Sequence, residues 1–130
     1  MIVLDTSAAI ELLLSLPLSQ KVIAALDDAR WQIAAPQLLT VEVLQVLRRR
    51  VAAEVTELAA AEEAIRLLSE LNIRFVDHDI LAPRIWQLRD NLTAYDASYA
   101  ALAEALDADL LTTDVRLANA PGHRARVVVL

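Results

Sequence analysis

A chain of 130 residues with 57% hydrophobic and 23% charged residues is long enough for one buried core and too apolar to be disordered. It has no cysteine, which excludes disulfides, thiolate metal sites and cysteine nucleophiles and fits a reducing cytoplasmic setting. A formal charge of −6, with eleven of the twelve basic residues arginine, excludes nucleic-acid binding by bulk electrostatics, so any phosphate-directed activity needs a local cationic element.

The chain opens on Met1-Ile2-Val3-Leu4-Asp5, with no basic leader before the apolar run. Glu11 and Pro17 interrupt the next apolar stretch, so neither a signal peptide nor a membrane span is expected. Ile2–Leu4, Gln32–Ala35, Ile73–Val76 and Asp109–Leu111 read as buried strands, and Arg126–Val129 as a fifth. Each of the first four precedes a helical pattern, and this β/α alternation predicts a parallel sheet covered on both faces. The leucines of Ile10–Leu18 (Leu12, Leu13, Leu14, Leu16 and Leu18) exceed one buried helix face, and either pack in the core or offer a partner surface. Pro36 suits the start of a helix to about Arg50. Thr56 suits the cap of the next, with a face of Leu58, Ala61, Ile65 and Leu68 and a Glu62–Arg66 pair. Pro83 suits the first turn of a helix to about Arg89, and Thr93-Ala94-Tyr95-Asp96 is a capping-box pattern opening one to about Leu106. The single glycine and four prolines agree with abundant helix.

Open parallel α/β sheets gather functional groups beyond the carboxyl ends of their strands, where strand order reverses. Asp5 follows the first strand and Asp114 the fourth, so the two meet if those strands are neighbours. Glu42 lies on an apolar stripe with Leu38, Leu39 and Val46, and no basic residue stands three or four places away. Such an inward carboxylate needs a cation or hydrogen bonds. Asp96 shares its face with Tyr99, Ala100 and Ala103. Each aspartate also has a plain structural use: Asp5, Thr6 or Ser7 can cap the following helix, Asp96 can serve the capping box, and Asp114 can cap Val115–Asn119.

Four segments, Val3–Ala8, Ala35-Pro36 through Glu42-Val43 to Arg49, Leu92–Glu104, and Leu111-Thr112-Thr113-Asp114 to Leu117, together resemble the PIN-domain ribonucleases, most closely the VapC-type toxins of bacterial toxin–antitoxin pairs. Asp107 departs from the pattern, standing where a helix-ending glycine is expected; aspartate tolerates that left-handed geometry. The resemblance implies a single PIN-like domain over residues 1–130, a three-layer α/β/α fold with a central parallel sheet of four to five strands. It also implies an acidic quartet of Asp5, Glu42, Asp96 and Asp114 that binds Mg²⁺ or Mn²⁺ and hydrolyses RNA, with Thr6 and Thr112 as supporting polar residues. The family usually forms homodimers and is inhibited by a small cognate antitoxin. Oxygen-only ligands suit such hard cations, with Asp5 and Asp96 as principal ligands and Glu42 and Asp114 acting through water or a second ion. Thr6 and Thr112 can hold carboxylates in rotamer.

Arg49, one helical face and roughly 10 Å along the axis from Glu42, is a candidate for contacting RNA phosphate, as are Arg89 and Arg116; charge at a helix end is the alternative use of Arg48-Arg49-Arg50. His78 and His123 read as surface residues. Three other functions fit parts of the pattern. One is a housekeeping RNA-processing nuclease, and another a non-catalytic module that tethers an antitoxin. The last is a phosphoacceptor receiver domain built on Asp5 and Asp77, which lacks the acidic pair and the lysine that chemistry wants.

Overall fold

The computed structural model describes residues 1–130. Five strands, β1 (Ile2–Leu4), β2 (Ile33–Pro36), β3 (Ile73–Val76), β4 (Asp109–Thr112) and β5 (Arg126–Val129), form one sheet in the order β3-β2-β1-β4-β5. All four pairings are parallel. Seven helices complete a three-layer α/β/α arrangement: α1 (Thr6–Leu13), α2 (Ser19–Asp28), α3 (Leu38–Ala52), α4 (Leu58–Glu70), α5 (His78–Gln87), α6 (Ala94–Leu106) and α7 (Val115–Asn119).

Burial follows position in the sheet. Val3, Leu4, Ala34, Ala35, Leu110 and Leu111 are sealed in the three central strands, whereas Arg74, Phe75, Arg126, Val128 and Val129 are exposed on the two edges. Ile73–Val76 is therefore an edge strand and not the buried one its apolar composition predicts. A short strand with a charge on it is also what keeps an open sheet edge from pairing with another molecule. Helix α6 packs over β1, β2 and β4 on one side and α5 on the other. It buries every residue from Ala97 to Ala103, and four alanines in that run let its backbone approach both neighbours.

Several helix boundaries differ from expectation, each for a local reason. Pro36 ends β2, opposite Val76, and α3 starts at Leu38; a proline at a strand end forfeits no ladder bond. Pro83 lies inside α5, because the Asp77 carboxylate accepts from the Asp79 N–H and starts the helix five residues earlier. Thr56 caps nothing: its hydroxyl accepts from Arg50 Nε at 2.9 Å, and Glu57 takes the cap position of α4. The buried face of α4 is Ala61, Ala64 and Leu68, with Leu58 and Ile65 exposed, and Arg66 pairs with Glu63 and Glu70 instead of Glu62. The leucine-rich stretch is broken by Ser15 in the left-handed region (φ 52°), which separates α1 from α2. Leu13 belongs to the main core, and the partly buried Leu12, Leu14 and Leu16 pack against it, so core packing accounts for most of this segment. An apolar opening also lies between α3 and α4, lined by Leu44, Val51, Leu58 and Ile65 among others.

Two features agree with the sequence in detail. Thr93 Oγ1 accepts from the Asp96 N–H at 3.1 Å to open α6, and Asp107 ends it at φ 48°, ψ 43°. The single glycine, Gly122 (φ 95°), turns the chain ahead of β5, where a Cβ would come within 3.0 Å of the Asn91 side chain.

One part-buried ion pair ties α5 to α6 and to that turn. Arg84 donates Nε and Nη2 to Glu104 (2.7 and 3.0 Å) and Nη2 to the Gly122 carbonyl, while the Arg124 N–H donates to the same carboxylate at 2.7 Å. The Arg84 guanidinium holds the Glu104 carboxyl below its ordinary value. A depressed carboxyl adds stability above its unfolded-state pKa and loses it as the pH falls through the folded one. Glu104→Gln is expected to cost about 1.5–3 kcal/mol at neutral pH, the range for hydrogen bonds to charged groups. Urea unfolding should show that gap closing below about pH 4, near the unfolded glutamate value. A pH-independent gap would place the effect in packing.

Candidate active site

The strand order places β1 beside β4, with β2 and β3 on the far side of β1. Strand order reverses at β1/β4, the point beyond whose strand ends open parallel sheets gather functional groups. The residues that come after those two strands, Asp5 and Asp114, thus share one edge, and the start of α6 brings in Asp96.

Asp5 occupies the N-cap position of α1, yet its carboxylate makes no capping bond. It is only 8% exposed, and Oδ2 accepts from Ser7 Oγ (2.6 Å) and Thr112 Oγ1 (2.7 Å). Those two hydroxyls lie 3.2 Å apart and reach onward to the last acidic residue. Thr112 Oγ1 accepts from the Asp114 N–H at 3.0 Å, and Ser7 Oγ from the Thr113 N–H at 2.9 Å. A web of hydroxyls therefore fixes the end of β1 to the end of β4, and Asp5 is held for something other than helix capping.

Asp114 does cap its helix: Oδ1 accepts from the Arg116 N–H at 2.9 Å. The Arg116 guanidinium also rests on this carboxylate, at 3.2 Å from Oδ1 and 3.1 Å from Oδ2, and depresses its pKa. Since the Arg116 side chain is 92% exposed, this is a surface pair with little hold on its geometry.

Asp96 shows the opposite shift. Partial burial raises its pKa, and the negative charges of Asp5 and Asp114 raise it further, against the Thr93 hydroxyl and the Arg116 guanidinium. Asp96 thus lies within electrostatic reach of both Asp5 and Asp114. No three acidic or imidazole side chains are arranged so as to hold a metal ion as they stand; hydroxyls, backbone N–H groups and Arg116 hold the carboxylates where they are. The chemistry of the donor set, carboxylate oxygens with no sulfur among them, fits a hard divalent cation.

Glu42 joins the site through hydroxyls. Its Oε1 accepts from Tyr99 Oη (2.6 Å) and Thr6 Oγ1 (3.0 Å), and the two hydroxyl oxygens lie 2.8 Å apart. Burial and the Glu42 carboxylate push the Tyr99 phenol far above its ordinary pKa, so it stays a donor. The carboxylate without a basic partner is satisfied by hydrogen bonds.

Ser7 and Tyr99 are the two site residues that periodicity did not single out for a role. Ser7 stands two places after Asp5, the spacing at which a hydroxyl reaches back to an aspartate; Tyr99 had only its shared face with Asp96. Of the arginines, Arg49 is exposed on the last turn of α3, and Arg89 lies over the Trp86 ring at 4.8 Å. Neither touches the carboxylates. Both histidines are half-buried and not on the surface: His78 Nε2 accepts from the Leu38 N–H at 3.0 Å, and His123 Nε2 lies 2.9 Å from the Leu117 carbonyl.

Known proteins share this outline. The family model described as "PIN domain" matches residues 2–122. The chain belongs to the PIN-domain family. Within that family, ribonuclease VapC9 of Mycobacterium tuberculosis is 35% identical over 130 residues, covering all of this chain and 98% of that protein. Ribonuclease VapC1 of the same species is 47% identical over 89 residues, covering 68% of this PIN domain and 67% of its relative. Among solved structures, M. tuberculosis VapC20, described as a sarcin–ricin loop cleaving toxin, superposes with a TM-score of 0.72 at 16% identity, covering 97% of this chain and 99% of that one. DNA-bound VapBC from Salmonella typhimurium gives 0.71 at 16% identity, covering 98% and 96%. At those identities the structures speak for the fold: a PIN-type three-layer sandwich.

Proposed function

We propose that this PIN domain is a metal-dependent endoribonuclease and the toxin half of a type II toxin–antitoxin pair, acting in the cytoplasm as one domain over residues 1–130. The full-length relatives named as ribonucleases support the reaction class. The neighbouring structures described as VapBC complexes support a small antitoxin as partner, and a homodimer is the assembly we expect. The observation that carries the reading is the placement of Asp5 and Asp114 just past β1 and β4, where strand order reverses, with Asp96 near enough to feel both charges.

In this reading Asp5 and Asp96 hold Mg²⁺ or Mn²⁺ directly, and Asp114 and Glu42 complete the site through water or at a second position. When bound, the divalent ion supplies positive charge at the phosphoryl oxygens and makes a nearby water a better nucleophile. The protein supplies rigidity and charge. Ser7 and Thr112 hold Asp5 in one rotamer, and Thr6 and Tyr99 do the same for Glu42. Arg116, whose exposed guanidinium rests on Asp114, would be the nearest arginine for an RNA phosphate, with Arg49 and Arg89 for flanking ones.

The test is cleavage of a panel of structured RNAs by the purified protein in Mg²⁺, in EDTA, and after Mg²⁺ is restored. Chelation should abolish cleavage and restoration should return it. Undiminished cleavage in EDTA would end the metal assignment.

A further inference from the structure

Beside the carboxylates lies a pocket that the cleavage chemistry does not use. It has a volume of about 240 Å³ and is lined by Leu38, His78, Ile85, Ala94, Tyr95 and Ser98. Leu38 is the first residue of α3, one turn before Glu42; Tyr95 and Ser98 flank Asp96 and adjoin Tyr99 on α6; His78 opens α5 after β3. The pocket thus sits past the ends of β2 and β3, on the same carboxyl edge of the sheet as the acidic site. Neighbouring strands are about 4.8 Å apart, so the two sites lie within a few strand spacings.

We propose that this pocket receives one unpaired base of the substrate RNA, close to the cleaved phosphate, with the Tyr95 ring as its stacking surface. The inference rests on the ribonuclease reading and names a determinant of what that nuclease accepts. Four observations carry it. A cavity of about 150 Å³ holds a benzene ring, so the volume suits a single heterocycle. Leu38, Ile85 and Ala94 give it apolar walls, and Tyr95, 61% exposed, is a large aromatic side chain standing in solvent next to a proposed metal ligand. Its polar groups are largely committed elsewhere. Ser98 Oγ donates to the Tyr95 carbonyl at 2.6 Å, which fixes the first turn of α6, and His78 Nε2 accepts from the Leu38 N–H. With Nε2 accepting, Nδ1 is the ring nitrogen of His78 that can donate. Finally, a chain of net charge −6 cannot hold RNA by phosphate attraction alone, whereas stacking on an aromatic ring needs no net charge. Recognition of single-stranded RNA characteristically works through bases splayed onto tyrosine or histidine.

The experiment measures binding of short fluorescent single-stranded RNAs to the full chain, with Ca²⁺ in place of Mg²⁺ to withhold cleavage. The RNAs carry one abasic residue moved position by position. Tyr95→Ala is expected to weaken binding roughly tenfold to a hundredfold, the loss of one stacked base, and Tyr95→Phe to restore it. Wild type should show the same loss at one abasic position, at which Tyr95→Ala shows no further loss. Unfolding of both variants should match wild type, since the side chain is exposed. Equal RNA affinity of Tyr95→Ala and wild type overturns the inference, as does indifference to every abasic position. If Tyr95→Ala instead turns a dimer into a monomer in sedimentation with RNA affinity unchanged, the pocket belongs to a second copy and the inference fails. Metal-dependent cleavage by a Tyr95→Ala protein with unaltered binding would sink the base pocket and leave the nuclease standing. Absence of any cleavage by wild type would sink the nuclease reading itself.

Discussion

Asp96→Asn is expected to lower RNA cleavage by roughly a hundredfold to ten-thousandfold, the several kcal/mol that a metal ion contributes to a phosphoryl transition state, while making the metal-free protein more stable. The two effects share one origin. Asp96 is partly buried and faces the negative charges of Asp5 and Asp114, which raise its pKa. Removing its charge relieves that repulsion, and asparagine keeps the shape. The backbone N–H of residue 96, which donates to Thr93, is retained, so α6 starts as before. A gain of about 1 kcal/mol is in keeping with stabilisation won by neutralising strained active sites. Single-turnover cleavage and urea unfolding in EDTA check both halves. Addition of Mg²⁺ should stabilise wild type and do little for the variant. Cleavage near the wild-type rate would remove Asp96 from the site; lower stability in EDTA would show that its charge is satisfied by the fold alone.

Thr112→Val is the second large expected effect, and here stability and activity fall together. The hydroxyl of Thr112 is fully buried, donates to Asp5 Oδ2 and accepts from the Asp114 N–H. Valine has the same shape and neither bond. Asp5 would keep only Ser7, and the Asp114 N–H would lose its side-chain partner. Leaving such groups unsatisfied costs about 1–3 kcal/mol, and loosening a ligand's orientation typically costs about 10–100-fold in metal affinity or activity. Thr112→Ser restores the hydroxyl and should recover most of the activity, giving up only a buried methyl. Chemical denaturation, metal titration and cleavage by the pair separate lost packing from lost hydrogen bonding. If valine and serine behave alike, the hydroxyl web does not position Asp5.

What the sequence disclosed depends on whether the controlling interaction is local. The five strands stand within one residue of expectation because each is a short apolar run bounded by helix. Asp5 and Asp114 could be placed at one edge because each closely follows a strand. The Thr93–Asp96 cap and the left-handed Asp107 were equally legible, since each is decided within a few residues. The partners of Glu42 were legible only in part, since Thr6 was expected to hold a carboxylate without its being clear which one. Thr6 and Tyr99 stand 36 and 57 residues away, and nothing in the periodicity of α3 points to them. The Ser7–Thr112 contact, across 105 residues, was hidden for the same reason. Helix starts failed where two local signals competed: Pro36 and Pro83 are both sound openers in isolation, but the strand ladder claimed one and the Asp77 cap overrode the other. Burial of edge strands depends on strand order, which composition alone leaves open. Arg116, a candidate for phosphate on its charge, rests on Asp114 because the turn into α7 brings the two together.

The central strand of the sheet is also the first of the five to leave the ribosome. Asp5 gains its Thr112 hydroxyl only after 107 further residues have been translated, since β1 must wait for β4 to lie beside it. A nascent or truncated polypeptide lacking β4 has no assembled acidic site, whatever its remaining helices do. The acidic residues at the ends of β1 and β4 therefore come together only once the fourth strand has been made.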